Sequence, residues 1–169
     1  MTGDLPRASR VLAAGAWPAG AAVATVTLAY ADRHLRRRRL TADDGTHLLL
    51  DLPRPRLLGD GDGLELDDGR WVGVRAAAEP VVEARAADAC ELARLAWHIG
   101  NRHTACQILP QALRVLDDPV LADMLAGLGA QVVRTQAPFA PEPGAYSSHH
   151  GHARANEIDP LADGPETAP

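Results

Sequence analysis

The chain has 169 residues, of which 46% are apolar and only 4% aromatic, and its formal net charge is −5 at pH 7. This length can bury one sizeable hydrophobic core or two small ones, built mainly from leucine, valine and alanine. The negative charge argues against a general nucleic-acid binder, because that class of protein needs a basic surface for the phosphates.

The N-terminal stretch has two interpretations. Arg7 and Arg10 precede an uncharged run over residues 11–31 that ends in Ala29-Tyr30-Ala31. This pattern resembles a secretory signal peptide. From Val23 onward, however, the apolar residues alternate with a period of two, which favours a β-strand. We therefore expect a cytoplasmic chain, with secretion as the alternative, and no segment is apolar enough to predict a membrane helix.

The first half of the chain is predicted to be all β. Strands are expected over residues 22–30, 34–41 and 47–52, with Asp44-Gly45 forming a hairpin turn and Pro53 and Pro55 breaking the ladder. A second hairpin joins residues 63–66 to residues 71–75 around Asp68-Gly69. These elements predict an N-terminal β domain over residues 1–78.

Four consecutive arginines, Arg36 to Arg39, lie in the second predicted strand. Their side chains would alternate between faces, and aspartates surround them, which favours a solvated strand paired with acidic neighbours. A docking face for an acidic partner protein is the alternative.

The second half alternates between strands and helices. After a strand over residues 81–86, Asp88 is placed to cap a helix that ends at Gly100, and strands follow near residues 104–108 and 113–116. Asp118-Pro119 opens a second helix that ends at Gly129, and residues 130–135 form the last strand. The apolar stripe of this second helix is Val120, Leu121, Met124, Leu125 and Leu128.

The resulting β-α-β-β-α-β order predicts a ferredoxin-like domain over residues 79–146, so the fold class is α+β. Residues 147–169 are rich in Pro, Gly, Ala and acids without any periodicity, and they are predicted to form a disordered tail.

No pattern of catalytic residues is visible. The sequence has neither a nucleophile elbow nor a Gly-rich phosphate loop before a helix, and the acidic Gly-Asp repeat at residues 59–63 is typical of a turn. Cys90 and Cys106 lie too far apart for a metal-binding pair and are predicted to be buried free thiols. We therefore expect a protein that is not an enzyme.

Histidines provide the candidate metal ligands. His149, His150 and His152 lie within four residues of the tail, where they could bind a borderline cation, although an incidental cluster or a purification remnant is the alternative. His98 is expected to pack within its helix, whereas His103 follows a Gly-Asn break and should project from the surface. A twofold dimer would bring two copies of His103 to one ion, and imidazole suits Ni²⁺, with Zn²⁺ or Cu²⁺ able to compete.

Several segments together resemble the family of urease accessory metallochaperones: GNRH at residues 100–103, PVLADMLAGLGAQV at 119–132, and APFAPEPGAY at 137–146 followed by histidines. The resemblance implies a homodimer that delivers nickel to urease, with His103 as the interfacial ligand from each subunit. It also implies an N-terminal domain that engages partners, namely the urease apoprotein and other accessory proteins including the GTPase.

The chain departs from that family at several positions. Ala105 stands where the family usually has proline, and Asp117, Asp118 and Pro119 stand where some members carry further histidines. Any auxiliary site there is absent or oxygen-based. Cys106 is expected to face the core and not the metal. The alternative function is a partner-binding scaffold of urease maturation in which metal binding is incidental.

Overall fold

Two β-sheets organise the chain, as shown by a computed structural model that describes residues 5–143. The strands of the first sheet are β1 Arg7–Leu12, β2 Ala22–Leu28, β3 His34–Thr41, β4 His47–Leu57, β5 Gly63–Leu66 and β6 Trp71–Ala76. They lie in the order β2-β6-β5-β1-β4-β3, with single turns of 3₁₀-helix at Ala19–Ala21 and Tyr30–Asp32.

The second half contains β7 Ala78–Arg85, α1 Ala89–Gly100, β8 Gln107–Leu109, β9 Ala112–Leu116, α2 Pro119–Gly127 and β10 Gln131–Pro138. Its four strands lie in the order β10-β7-β9-β8, and each neighbouring pair is antiparallel. This element order and strand order are those of the ferredoxin-like sandwich. The predicted α+β class is confirmed, while the predicted tail lies outside the described residues.

Both predicted hairpins are present in the first sheet. β3 pairs antiparallel with β4, and β5 pairs antiparallel with β6. The turns contain Gly45 at φ 86° and Gly69 at φ 82°, a left-handed conformation that glycine adopts without steric penalty. Strand β1 joins the two hairpins into one sheet, since it pairs parallel with β4 and antiparallel with β5, and β2 extends the sheet by pairing parallel with β6.

The predicted break in the ladder at Pro53 and Pro55 is present, but the predicted end of the strand at residue 52 was wrong, because β4 continues to Leu57. The β3–β4 register jumps from Leu35↔Arg56 to Arg37↔Asp51, so residues 52–55 bulge opposite a single residue of β3. A proline in a bulge has no ladder hydrogen bond to donate, and the strand therefore passes through both prolines.

Strand β1 was missed. It contains Arg7 and Arg10, which we interpreted as flanking a signal-like stretch, and it lies inside the sheet between β4 and β5. Ala8 is fully buried there and pairs with both Leu50 and Leu66. Within residues 5–143, no helix is long and apolar enough to cross a membrane.

Each sheet has its own hydrophobic core. The first core is rich in leucine, and the second packs α1 and α2 against the four-stranded sheet through Leu95, Ile99, Leu121 and Leu125. One prediction about α2 was wrong: Val120 is 78% exposed, and Ala122 is buried in its place.

The helix boundaries follow local signals. The Asp88 side chain accepts a hydrogen bond from the Glu91 amide at 2.8 Å, and Asp118 accepts one from the Leu121 amide at 2.8 Å. Gly129, at φ 93°, lies just beyond the end of α2, and its amide donates to the Ala126 carbonyl. These are the expected N-caps and a glycine C-terminal motif.

Candidate metal centre

His103 lies on the loop that follows α1. The amides of three successive residues after the helix donate hydrogen bonds to carbonyls of its last turn. The last of these bonds is from His103 N to Gly100 O at 2.9 Å. His103 then adopts φ 53°, and among residues 5–143 it is the one non-glycine residue with positive φ. This left-handed turn, which we had not predicted, directs the chain out of the helix and leaves His103 exposed to solvent.

A cleft of about 500 Å³ lies beside His103. Its lining includes Cys106 and Ile108 from the C-terminal domain, Glu142 from the segment after β10, and Tyr30 from the N-terminal half. The candidate site therefore lies at the junction of the two halves of the chain.

Large apolar side chains are exposed on the same domain. Trp97 on α1 is 64% exposed, and Ile108 on β8 is 59% exposed. Trp97 lies one helical turn before the loop, and Ile108 lines the same cleft as His103. Such side chains around one polar residue are typical of a surface that another protein covers.

Cys106 packs against the C-terminal core, as predicted, but it is only half-buried and also lines the cleft beside His103. Burial raises the pKa of its thiol to about 11, and the negative charge of Glu142 adds to the shift. In the absence of a metal the thiol is therefore protonated at neutral pH. The prediction for Cys90 was wrong, because this residue lies exposed in the first turn of α1, where its side chain faces away from the core.

His98 packs within its helix, as predicted. His98 is half-buried in the last turn of α1, with its ring packed edge-on to Trp97 at 4.9 Å between centroids. Among the described residues, no group of three or more His, Cys, Asp or Glu side chains could hold a metal ion. His149, His150 and His152 lie outside the described residues.

The two aspartates before α2 have structural roles. Asp117 accepts a hydrogen bond from Arg134 Nε at 3.1 Å, and Asp118 caps the helix. One carboxylate oxygen of each is engaged in these contacts.

The acidic and basic runs of the N-terminal half are also accounted for. Asp60 accepts from the Ala76 amide at 2.7 Å and Asp62 from the Gly59 amide at 2.9 Å, so residues 59–63 form the predicted turn. Arg38 lies 2.8 Å from Asp32 across the surface of the sheet. The prediction of a solvated strand with acidic neighbours is confirmed.

Sequence reasoning missed the contacts between the two halves. Arg33 is buried and donates to the carbonyl of Phe139, and Tyr30 packs edge-on to the Phe139 ring at 5.1 Å. The Tyr30 amide also donates to Glu79 at 2.8 Å. No local pattern signals these contacts, because Arg33 and Phe139 are 106 positions apart.

Together these features define an α+β protein with two small domains that presents a lone histidine on a surface loop. Residues 5–77 match the model of the UreE urease accessory protein N-terminal domain, and residues 79–160 match that of its C-terminal domain. The chain therefore belongs to the UreE family of urease accessory proteins, and the predicted resemblance is confirmed.

Individual relatives agree with this assignment. The urease accessory protein UreE of Mesorhizobium japonicum is 50% identical over 145 residues, which cover 86% of this chain and 74% of the relative. The one from Rhodobacter capsulatus is 51% identical over 142 residues, covering 84% of this chain and 87% of the relative. The one from a Bradyrhizobium species is 48% identical over 147 residues, covering 86% and 70%.

Proposed function

We propose that this chain is a nickel metallochaperone. It acts in the cytoplasm as a homodimer, binds Ni²⁺ and delivers it to the urease apoprotein and its other accessory proteins, including the GTPase. It has no catalytic activity of its own. The observation that carries this proposal is the exposed His103, held in a left-handed turn at the edge of a partly apolar surface.

In a twofold-symmetric dimer, the two copies of His103 would together form the metal site. One imidazole binds a divalent ion weakly, but a twofold axis near the loop brings the two copies of His103 to one ion. The exposed Trp97 and Ile108 supply apolar area that such a dimer would bury. The proposed dimer and the proposed site therefore depend on the same surface.

The donor atoms favour a borderline cation. Imidazole nitrogens suit Ni²⁺, Zn²⁺ and Cu²⁺ better than Mg²⁺ or Ca²⁺, so Zn²⁺ and Cu²⁺ are expected to compete. Cys106 is protonated at neutral pH without a metal and is not among the proposed ligands. His149, His150 and His152 would complete the coordination sphere from the tail, and a partly completed site can release its ion to an acceptor.

Calorimetric titration with Ni²⁺ tests the proposal directly. We expect a tight site at about one ion per dimer, since each subunit supplies one His103. His103→Ala should weaken it by at least about 100-fold, because loss of a ligand exceeds the 10–100-fold effect of outer-shell changes. His34→Ala, which removes an exposed histidine of β3, is the matched control. Unchanged tight binding in His103→Ala would refute the proposal.

A scaffold function is the second candidate, and the arginines of β3 favour it. Arg36 and Arg39 are exposed, and neither forms an ion pair within residues 5–143. Urease activation reconstituted from purified components distinguishes the two functions. A nickel carrier loses activation with His103→Ala, whereas a scaffold tolerates that change and loses activation with the double variant Arg36→Ala and Arg39→Ala.

A further inference from the structure

The six-stranded sheet has two edges, and within residues 5–143 the chain occupies only one of them. At the β2 edge, Asp43 from the β3–β4 turn bonds to the strand from outside. Its amide donates to Thr25 O at 2.7 Å, and its carboxylate accepts from Thr27 N at 3.1 Å and from Thr27 Oγ1 at 2.7 Å. The other edge is β3, and no second strand of the described residues pairs with it. The β3 edge is therefore open.

The hydrogen bonds of β4 show which backbone groups of β3 point outward. Leu49 pairs with Arg39, but its amide donates to Pro6 O at 2.8 Å, on the side of β1. Arg39 and Leu49 therefore form a non-hydrogen-bonded pair of the antiparallel ladder, and the amide and carbonyl of Arg39 point away from β4. Because such pairs alternate along a ladder, Arg37 and Thr41 present their backbone groups at the same edge. These groups are free to pair with a further strand.

The side chains of this edge are strongly basic. β3 contains four consecutive arginines, Arg36 to Arg39, and no acidic residue. All four are exposed, and because neighbouring residues of a strand point to opposite faces, both faces of β3 reach solvent. Arg37 and Arg38 each lie near an aspartate, whereas Arg36 and Arg39 form no ion pair within residues 5–143. The open edge thus carries unneutralised positive charge.

The charge decides which strands can pair with this edge. An open edge is a template for another strand, and charged side chains limit what it accepts. Two copies of β3 would place arginines against each other, and like charges on facing strands are destabilising. A strand with carboxylates would instead supply counter-charges to Arg36 and Arg39, while its backbone would extend the ladder. Charge complementarity therefore selects an acidic partner over a second copy of this chain.

We propose that β3 is the docking edge for an extended acidic segment of a partner protein, which adds to the sheet as a seventh strand. The backbone groups of Arg37, Arg39 and Thr41 bond to the segment, and the arginine side chains select it by charge. The inference rests on the partner binding that the proposed function includes, and it deepens that function by naming the surface and the chemistry of the partner. It requires neither His103 nor a bound metal.

Fluorescence anisotropy on the full chain tests the inference with a labelled peptide, Thr-Glu-Glu-Thr-Glu-Glu-Thr, whose carboxylates occupy both faces when it is extended. We expect saturable binding that weakens as the salt concentration rises, and no binding of the same peptide with lysine in place of glutamate. Arg39→Glu should weaken binding about tenfold, because an attractive charge pair becomes a repulsive one. Arg94→Glu makes the same charge change at an exposed residue of α1 in the other domain, and as the matched control it should leave the affinity unchanged.

Hydrogen exchange distinguishes strand addition from attraction to a charged surface. Bound peptide should slow the exchange of the Arg37, Arg39 and Thr41 amides, since these point outward and would gain a partner. The Arg38 and Leu40 amides should be unaffected, because the alternation of the ladder directs them to β4. Side-chain attraction alone would leave all five amides unchanged.

Three results would overturn the inference. Failure of the acidic peptide to bind would mean that the arginines only protect the edge from other strands. Binding without slower exchange of the three outward amides would exclude strand addition. Unchanged affinity in Arg39→Glu, or equal binding of the lysine peptide, would exclude selection by charge. The peptide assay contains no metal, so its outcome is independent of the Ni²⁺ titration that tests the metal site.

Discussion

In the N-terminal sheet, charged side chains meet partners on neighbouring strands, whereas the loop after α1 leaves its histidine exposed to solvent. Arg7 lies 3.0 Å from Asp51, and Arg10 lies 2.9 Å from Glu65. These pairs link β1 to β4 and β5, so the fold explains why they are there. His103, by contrast, forms no ion pair within residues 5–143, and its left-handed backbone follows an amide hydrogen bond to Gly100 O at the end of α1.

The paired charges of the N-terminal sheet stabilise the fold, whereas the fold of one subunit gives the exposed His103 no partner. Strain at a non-glycine residue persists where the surroundings maintain it, and it is concentrated at functional sites. Large apolar side chains near that residue add a second feature that folding of one subunit leaves unexplained. Both features occur around His103, which is why the C-terminal domain carries the proposed site.

The largest expected effect is on dimer affinity, and it compares an exposed apolar residue of the C-terminal domain with one of the N-terminal domain. Burying Trp97 on dimerisation contributes about 2 kcal/mol per subunit, so Trp97→Asp should weaken a twofold dimer by about 1,000-fold. Val23→Asp, at a residue 50% exposed on the N-terminal sheet, should leave the dimer unchanged. Sedimentation velocity measures both, and a dimer that survives Trp97→Asp would place the interface elsewhere.

The two cysteines of the C-terminal domain are expected to differ in their reactivity toward an alkylating reagent. Because burial raises the pKa of the Cys106 thiol to about 11, about one in a thousand molecules carries the thiolate at pH 8. Alkylation of Cys106 should therefore accelerate about 100-fold between pH 8 and pH 10, while exposed Cys90 reacts readily at pH 8. Mass spectrometry of Cys90→Ser follows Cys106 alone. Rapid labelling of that variant at pH 8 would show that the thiol is available to metal.

Removing one arginine from an ion pair in each domain compares how much the two pairs contribute to the free energy of unfolding. Arg114 lies 2.7 Å from Glu83, and both side chains are mostly buried, whereas Arg10 and Glu65 pair at the surface. Arg114→Met leaves a buried carboxylate without its main partner and should lower the free energy of unfolding by about 2 kcal/mol. Arg10→Met should lower it by less than about 1 kcal/mol. Urea unfolding of each variant measures the difference.

Much of the fold could be predicted because its signals are local. Asp-Gly dipeptides marked both hairpins, and Asp88 and Asp118 marked both helix starts within a few residues of where they act. Strand β1 was missed because it depends on pairing with β4 and β5, where Ala8 lies between Leu50 and Leu66. No short sequence pattern reveals such a pairing. The bulge that carries Pro53 and Pro55 was missed because it depends on the register with β3.

The candidate site divides in the same way. The Gly-Asn break predicted that His103 leaves the helix, and this depends only on neighbouring residues. The left-handed backbone of His103 and the hydrogen bond from Arg33 to Phe139, 106 positions away, have no such local signal. A histidine pattern can thus propose a ligand, but the contacts between distant parts of the chain that surround it become visible only in three dimensions.

The smallest expected effect concerns the acid stability of the C-terminal sheet. The hydrogen bond from Arg114 lowers the pKa of Glu83 below its ordinary value of 4.5, so the pair stabilises the fold above pH 4.5 and loses that contribution as the pH falls further. Glu83→Gln keeps a hydrogen-bond acceptor but no charge, so it should cost about 0.5–1 kcal/mol at pH 7. Urea unfolding between pH 7 and pH 3 should show a shallower loss of stability in this variant than in the wild type. Equal slopes would mean that other carboxylates set the acid sensitivity, and that the buried pair holds β7 to β9 without linking stability to pH.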